Sequence, residues 1–193
     1  MAKHSRVLPA VQGDELTEAL RSTGWKRVKT PPEVDHPLTD AVWRNEEADA
    51  FVAWIDERND IGLYYGHVFG DGWAAGLKAL VGTKLMIDGK TCIKTIQNAE
   101  KVSELGSAAR ALGFLAVGAF DADVHKVLSG LLASDNVDLQ RDALAGISFS
   151  AWPQFESALD ALIANPSTRT DVREEAEVLK ENLAESNWSE DLR

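Results

Sequence analysis

"VLSGLLAS" at Val127–Ser134 and "ALDALIAN" at Ala158–Asn165 repeat one another at an offset of 31 residues. Leu128 meets Leu159, Leu131 meets Leu162 and Leu132 meets Ile163. Each copy extends one turn towards the amino terminus. Val124, Val127, Leu128, Leu131 and Leu132 then correspond to Phe155, Ala158, Leu159, Leu162 and Ile163. Spacing of i, i+3, i+4, i+7, i+8 marks one buried helix face. A second echo follows, "DLQRDA" at Asp138–Ala143 and "DVREEA" at Asp171–Ala176, now offset by 33. A helical hairpin that recurs at this period cannot bury its apolar stripe alone, whereas stacked neighbours bury it together.

Outward from this core, everything past about Ile93 reads as helices with short polar breaks. The segments are "SELGSAARALGFLAVG", "DADVHKVLSGLLAS" with an Asp cap, "NVDLQRDALAGISF", "PQFESALDALIAN" with Pro153 in its first turn, and "RTDVREEAEVLKENLAES". The first half differs. "GDELTEALRSTGW" predicts a short helix capped at Asp14 and stopped at Gly24. After the proline-rich "TPPEVDHP", the segments "DAVWR", "DAFVAWID" and "IGLYYGHVF" are rich in β-branched and aromatic residues and predict a three-stranded antiparallel meander. "WAAGLKALVG" adds a short helix and "TKLMID" a strand. The predicted class is α+β: a small helix-plus-meander unit at 1–92 that caps or interacts, then a short α-α superhelix of about five helices at 93–193.

Asp, then Val or Leu, then charged residues, then Ala, together with "ALxxLL", resembles HEAT-type (armadillo-like) repeats. "DVREEAEVL" at Asp171–Leu179 carries the likeness best and "DLQRDALAGI" at Asp138–Ile147 next. The resemblance covers about the last 90 residues and implies a solenoid that presents a broad binding surface. It does not extend to the first half. The earliest unit, "SAARALGFL", lacks the Asp-Val-Arg start.

Composition narrows the function classes. The formal charge is −11, with 11 Lys/Arg against 14 Asp/Glu up to Lys90 and 9 against 17 beyond it. Such a balance repels phosphate backbones and anionic membranes, so the expected partner is another protein, of basic character, with no nucleic acid and no membrane. Cys92 is the single cysteine, so no internal disulfide or multi-cysteine metal site forms. "MAKHSRVLPAVQG" lacks the apolar core of a signal peptide, and the longest apolar run, Leu112–Phe120, is too short to span a bilayer. A cytoplasmic protein is expected.

The sharpest motif is "GDGWAAG", with Gly70, Gly72 and Gly76 between a strand and a helix and Asp88 beyond. That order suits a dinucleotide site. The antiparallel meander, the short helix and the lack of further β-α units favour a tight turn instead. His67 with Asp71, and His36 with Asp35 or Asp40, lack metal-ligand spacing, and no "GxSxG" elbow exists. No cofactor, metal or catalytic residue is therefore assigned.

Trp43 and Trp54 read as core, Trp25 and Trp73 as packing between helix and sheet, and Trp152 and Trp188 as the exposed aromatics. The expected partner-binding set joins those last two to Glu156 and Asp160 on one helix, Asp138 and Asp142 on the preceding one, and Glu174 on the last. The expected function is non-enzymatic protein binding, in its narrowest form an acidic immunity or inhibitor protein that neutralises a basic toxin. Alternatives are a HEAT-like enzyme, of bilin-lyase or alkylpurine-DNA-glycosylase type, or a structural adaptor.

Overall fold

The computed structural model describes residues 5–31, 34, 36–81, 86–116 and 119–185. The chain divides into two compact units, Met1–Asp88 and Gly89–Arg193. The first runs β1 (Ser5–Pro9), α1 (Gly13–Ser22), β2 (Trp25–Val28), β3 (Thr39–Asn45), β4 (Ala50–Glu57), β5 (Leu63–Phe69), α2 (Trp73–Val81) and β6 (Met86–Ile87). The predicted meander is β3, β4 and β5, paired antiparallel. It is the middle of a larger sheet ordered β2-β3-β4-β5-β1-β6, in which every neighbouring pair is antiparallel. β1, from the five residues "SRVLP", inserts between β5 and β6. Its shortness and Pro9 hide it in the sequence, because pairing with strands about 60 and nearly 80 residues away makes it a strand, not local propensity.

Both helices lie on one face of this sheet. Leu16 and Leu20 of α1 and Leu80 of α2 are buried with Val7, Trp25, Trp43, Val52, Trp54 and Val68. Each fully buried side chain of this size contributes about 1.5–3 kcal/mol. α1 carries Asp14 and Glu15 in its first turn and Arg21 in its last, which complements the helix dipole. The predicted cap is corrected: Gln12 is the N-cap, and Asp14 lies inside the first turn. Gly24, at φ +84°, is the left-handed residue that stops the helix, as the sequence suggested.

The three glycines of "GDGWAAG" serve packing. The Gly72 N–H donates to the Asp49 carbonyl at 3.1 Å, and a Cβ on Gly72 would collide with the Ala48 carbonyl. A Cβ on Gly76 would collide with Ala50, and Gly70 has φ +101°. The motif thus fits against the β3–β4 turn, where Asn45 Oδ1 accepts from the Ala48 N–H at 2.9 Å and Asp49 is left-handed.

The second unit runs α3 (Gly89–Asn98), α4 (Val102–Leu115), α5 (Ala122–Leu132), α6 (Val137–Ser150), a 3₁₀ turn at Pro153–Phe155, α7 (Glu156–Ala164) and α8 (Thr170–Glu185). α3 was not anticipated. It begins at Gly89, so the division between units precedes the expected 92/93, and Cys92 is buried within that helix. Consecutive helices pair as hairpins, α3–α4, α5–α6 and α7–α8, and the hairpins stack. α3, α5 and α7 form one layer and α4, α6 and α8 the other. Asp121 Oδ1 caps α5 by accepting from the Asp123 and Val124 N–H groups at 2.9 and 3.2 Å, and Asn136 caps α6 in the same way.

The doubled stripe is buried in both copies, but in a narrower form. Val124, Leu128 and Leu132 are buried in α5, and Phe155, Leu159 and Leu162 in and beside α7, while Leu131 and Ile163 are only partly covered. The second echo lies in the other layer, where Leu139 and Val172, and Ala143 and Ala176, are all buried. Backbones approach most closely between α4 and α6. A Cβ on Gly113 would strike the Gly146 backbone, and one on Gly146 would lie 2.7 Å from the Ala109 carbonyl oxygen. No described helix is long and apolar enough to cross a membrane.

Candidate functional site

The seven residues expected to meet a partner separate into distinct roles. Trp152 is corrected from exposed to buried: 4% of its surface is accessible, and its ring lies parallel to that of Phe155 with centroids 6.0 Å apart. Trp188 lies outside the described residues. Asp142 is also corrected, since its side chain is 18% exposed and pairs with Arg110 of α4 at 2.8 Å. Gly106 leaves the room for that carboxylate, because a Cβ there would overlap it. Burial pushes the Asp142 carboxyl up and Asp138 adds to the shift, while Arg110 opposes it. Asp160 is exposed yet bonded to Lys180 of α8 at 2.6 Å. Asp138, Glu156 and Glu174 are exposed.

These pairs belong to a ladder across the layer of α4, α6 and α8. Arg110 reaches Asp142, and Arg141 reaches both Asp171 at 2.7 Å and Glu175 at 3.1 Å. Burial raises the Asp171 carboxyl, but hydrogen bonds from Arg169 and the Val172 N–H, with the charges of Arg169 and Arg141, hold it below its usual range. Charged positions of the "DLQRDA" and "DVREEA" echo are thus in part a helix-to-helix contact, Arg141 of the first reaching Asp171 and Glu175 of the second. On α8, Glu174, Glu177, Val178 and Glu181 form an exposed stripe at spacing i, i+3, i+4, i+7.

What remains is an edge that sequence reasoning missed. The amino-terminal ends of α5 and α7 lie side by side, joined by His125 Nε2 and the Gln154 carbonyl at 3.0 Å. Four rings close into a cluster there. Phe120 meets Trp152 at 5.3 Å and His125 at 5.6 Å, and His125 meets Phe155 at 4.7 Å. Phe120 is 46% exposed. It occupies the residue before the Asp121 cap and packs on the fourth residue of α5, the geometry of a hydrophobic staple. Asp123 and Glu156, both exposed, stand in the first turns of α5 and α7. An aromatic residue just ahead of an Asp cap was the legible signal, hidden because Phe120 ends the apolar run from Leu112.

The first unit holds a cavity of about 560 Å³ between α1 and the sheet. Its walls include Leu16 and Leu20 of α1 and the rings of Trp43, Trp54 and Tyr64. Trp54 and Tyr64 stack at 5.8 Å with planes 11° apart. The Tyr64 hydroxyl donates to Asp40 Oδ2 at 3.1 Å, and burial, then the Asp40 charge, raises its pKa far above the phenol value. The Arg58 guanidinium lies over the Tyr64 ring, 5.6 Å from its centroid, and forks onto Asp56 at 2.8 and 2.6 Å. That hydrogen bonding draws the Asp56 carboxyl down to about 2. Among the described residues no three His, Cys, Asp or Glu side chains converge as a metal site.

No family model, no curated protein and no solved structure matches this chain.

Proposed function

We propose that this chain is a non-enzymatic protein-binding module. Its helical unit is a HEAT-like stack that docks a basic partner along the edge formed by the first turns of α5 and α7. The observation that carries the reading is Phe120, 46% exposed on a cluster whose Trp152 and Phe155 are buried, with the exposed acids Asp123 and Glu156 in the first turns of the two adjoining helices. An aromatic side chain on a rigid, packed base loses little entropy on binding, and such residues dominate interface energies. The two acids also favour their own helix dipoles, which accounts for their positions but not for the exposure of Phe120. The total charge of −11 adds long-range attraction for a cationic surface. The narrowest form of the reading is an inhibitor or immunity protein that covers a basic toxin, acting in the cytoplasm, where the lone Cys92 stays reduced.

The test is capture of partners on the immobilised full chain, then stopped-flow association with each purified candidate. Phe120→Ala should weaken binding by about 2 kcal/mol, chiefly through faster dissociation. Asp123→Lys with Glu156→Lys should slow association at least about tenfold at low salt, with the difference shrinking near 0.15 M. A captured partner that is acidic, or whose kinetics ignore both changes, rules this surface out.

A further inference from the structure

The sheet of the first unit ends in two strands of different kinds, β2 and β6. A strand at the end of a sheet leaves one row of backbone N–H and C=O groups without a ladder partner. At β6 that row is only Met86–Ile87, too short to hold another strand. β2 is longer, and each of its residues, Trp25–Val28, pairs with β3 on one side. Along an antiparallel ladder, residues alternate between turning both main-chain groups towards the partner strand and turning both away. Every second residue of β2 therefore presents a donor and an acceptor outward. Among the described residues, no hydrogen bond outside the β3 ladder ends on the main chain of β2.

The same strand is a basic stretch in an acidic chain. Lys26, Arg27 and Lys29 fall within "WKRVK" at Trp25–Lys29, whereas the whole chain carries −11. All three are exposed. Lys26 shares its charge with Glu46 at 3.1 Å, both side chains being more than half exposed. Arg27 and Lys29 form no ion pair among the described residues, and Arg27 donates only to the Asp40 main-chain carbonyl at 3.4 Å. Spaced two apart on extended chain, Arg27 and Lys29 stand on one side of the strand and Lys26 on the other. Cations on an edge strand discourage pairing with another chain, but they do so selectively. The β2 of a second copy would set Lys26 and Arg27 against like charge, whereas an acidic strand would meet opposite charge at alternate positions.

We infer that the open edge of β2 docks an extended acidic segment of another protein, which joins the sheet as a further strand. Main-chain hydrogen bonds to the outward row hold the segment, and carboxylates at every second position lie against Arg27 and Lys29. The chain as a whole repels such a partner at long range. Attraction is therefore confined to about one Debye length from these cations, ~8 Å at physiological salt. The segment is held by a short strand and a local field, so binding is modest and its specificity comes from backbone pairing. This surface lies in the first unit and is independent of Phe120, so either can fail without the other.

The experiment is fluorescence anisotropy and amide hydrogen exchange on the full chain with a labelled peptide of alternating Thr and Glu. One control replaces every Glu by Lys. Two others keep the charge and carry N-methyl groups on every Thr or on every Glu, so that each blocks one edge of the peptide. The acidic peptide should saturate below about 1 mM and slow exchange of the β2 amides. The Lys peptide should bind at least about tenfold more weakly, and the two methylated peptides should differ from each other by a similar factor. Lys26→Glu with Arg27→Glu, at exposed positions, should keep the parent melting temperature and reverse the preference between the acidic and basic peptides. The inference is overturned if the acidic peptide does not saturate below about 10 mM, if the two methylated peptides bind alike, or if β2 exchange is unchanged. It is equally overturned if oligothymidylate binds as tightly, if the doubly reversed variant binds like the parent, or if β2 is protected instead by dimerisation of the chain at high concentration.

Discussion

The two units solve the same packing problem with opposite chain economies. In the first, β1 at Ser5–Pro9 lies between β5 and β6, so its neighbours are remote in sequence. In the second, each helix packs on the next or the next but one. Non-local contacts must overcome the entropy of closing long loops before they stabilise anything, whereas hairpin contacts form locally. The units also distribute charge differently. Ion pairs join α4, α6 and α8, while the sheet core is built from aromatic and branched residues. The lesson is that a short period in the chain reveals a stack, and long-range pairing conceals a sheet.

The comparison breaks first at the glycines where two backbones meet. Gly72→Val in the sheet unit and Gly113→Val in the helical unit both force a side chain into main-chain atoms. Each should cost more than about 4 kcal/mol, seen as loss of soluble protein or of its cooperative melting transition. If either variant melts like the parent, that close approach does not exist. Leu128→Ala and Leu159→Ala come next. Both leucines are fully buried at equivalent places in successive hairpins, so each should cost about 3 kcal/mol by denaturant titration. A difference above about 1.5 kcal/mol between them would mean that the two copies do not share a packing role.

Smaller effects sharpen the account of the ladder. Arg110→Met leaves a mostly covered Asp142 without its cation and should cost about 1–3 kcal/mol. Asp142→Asn should cost less, because it also removes a carboxylate that burial penalises. A carboxyl raised above its ordinary value in the fold binds protons that the unfolded chain has lost. Its contribution to stability is present at low pH and lost as pH rises through the folded pKa. The parent should therefore gain on Asp142→Asn as pH falls from neutrality towards 3.8, the ordinary value of the carboxyl. A constant difference in melting temperature over that window would refute the assignment. Asp160→Asn removes an exposed pair with Lys180, and its effect on melting should be the smallest of the series.

Much of the helical unit was legible. The Asp121 cap, the Pro153 start, and the burial of Leu128 with Leu159 and of Ala143 with Ala176 all follow from period and capping chemistry. α3 was not, because "GKTCIKTIQN" begins at a glycine and carries a single buried side chain, Cys92. The acidic set was read as one patch since spacing shows where a side chain lies on its own helix, not which cation waits on the next. Of that set Asp142 and Asp160 are paired across helices, as are their neighbours Asp171 and Glu175. Trp152 read as exposed because it opens a helix, while Phe120, one hairpin earlier, packs against it.

The sequence by itself determined the α+β class, the meander of β3, β4 and β5, the helical run and its doubled stripe, and the charge that disfavours polyanionic partners. Each of these rests on local propensity, short period or composition, which a single chain carries in full. Only the tertiary structure decided that β1 completes a six-stranded sheet, that Phe120 is the exposed member of an aromatic cluster, and that β2 ends that sheet with an open edge. Those facts depend on groups far apart in the chain competing for the same space and the same hydrogen-bond partners, and no local pattern records the outcome of that competition.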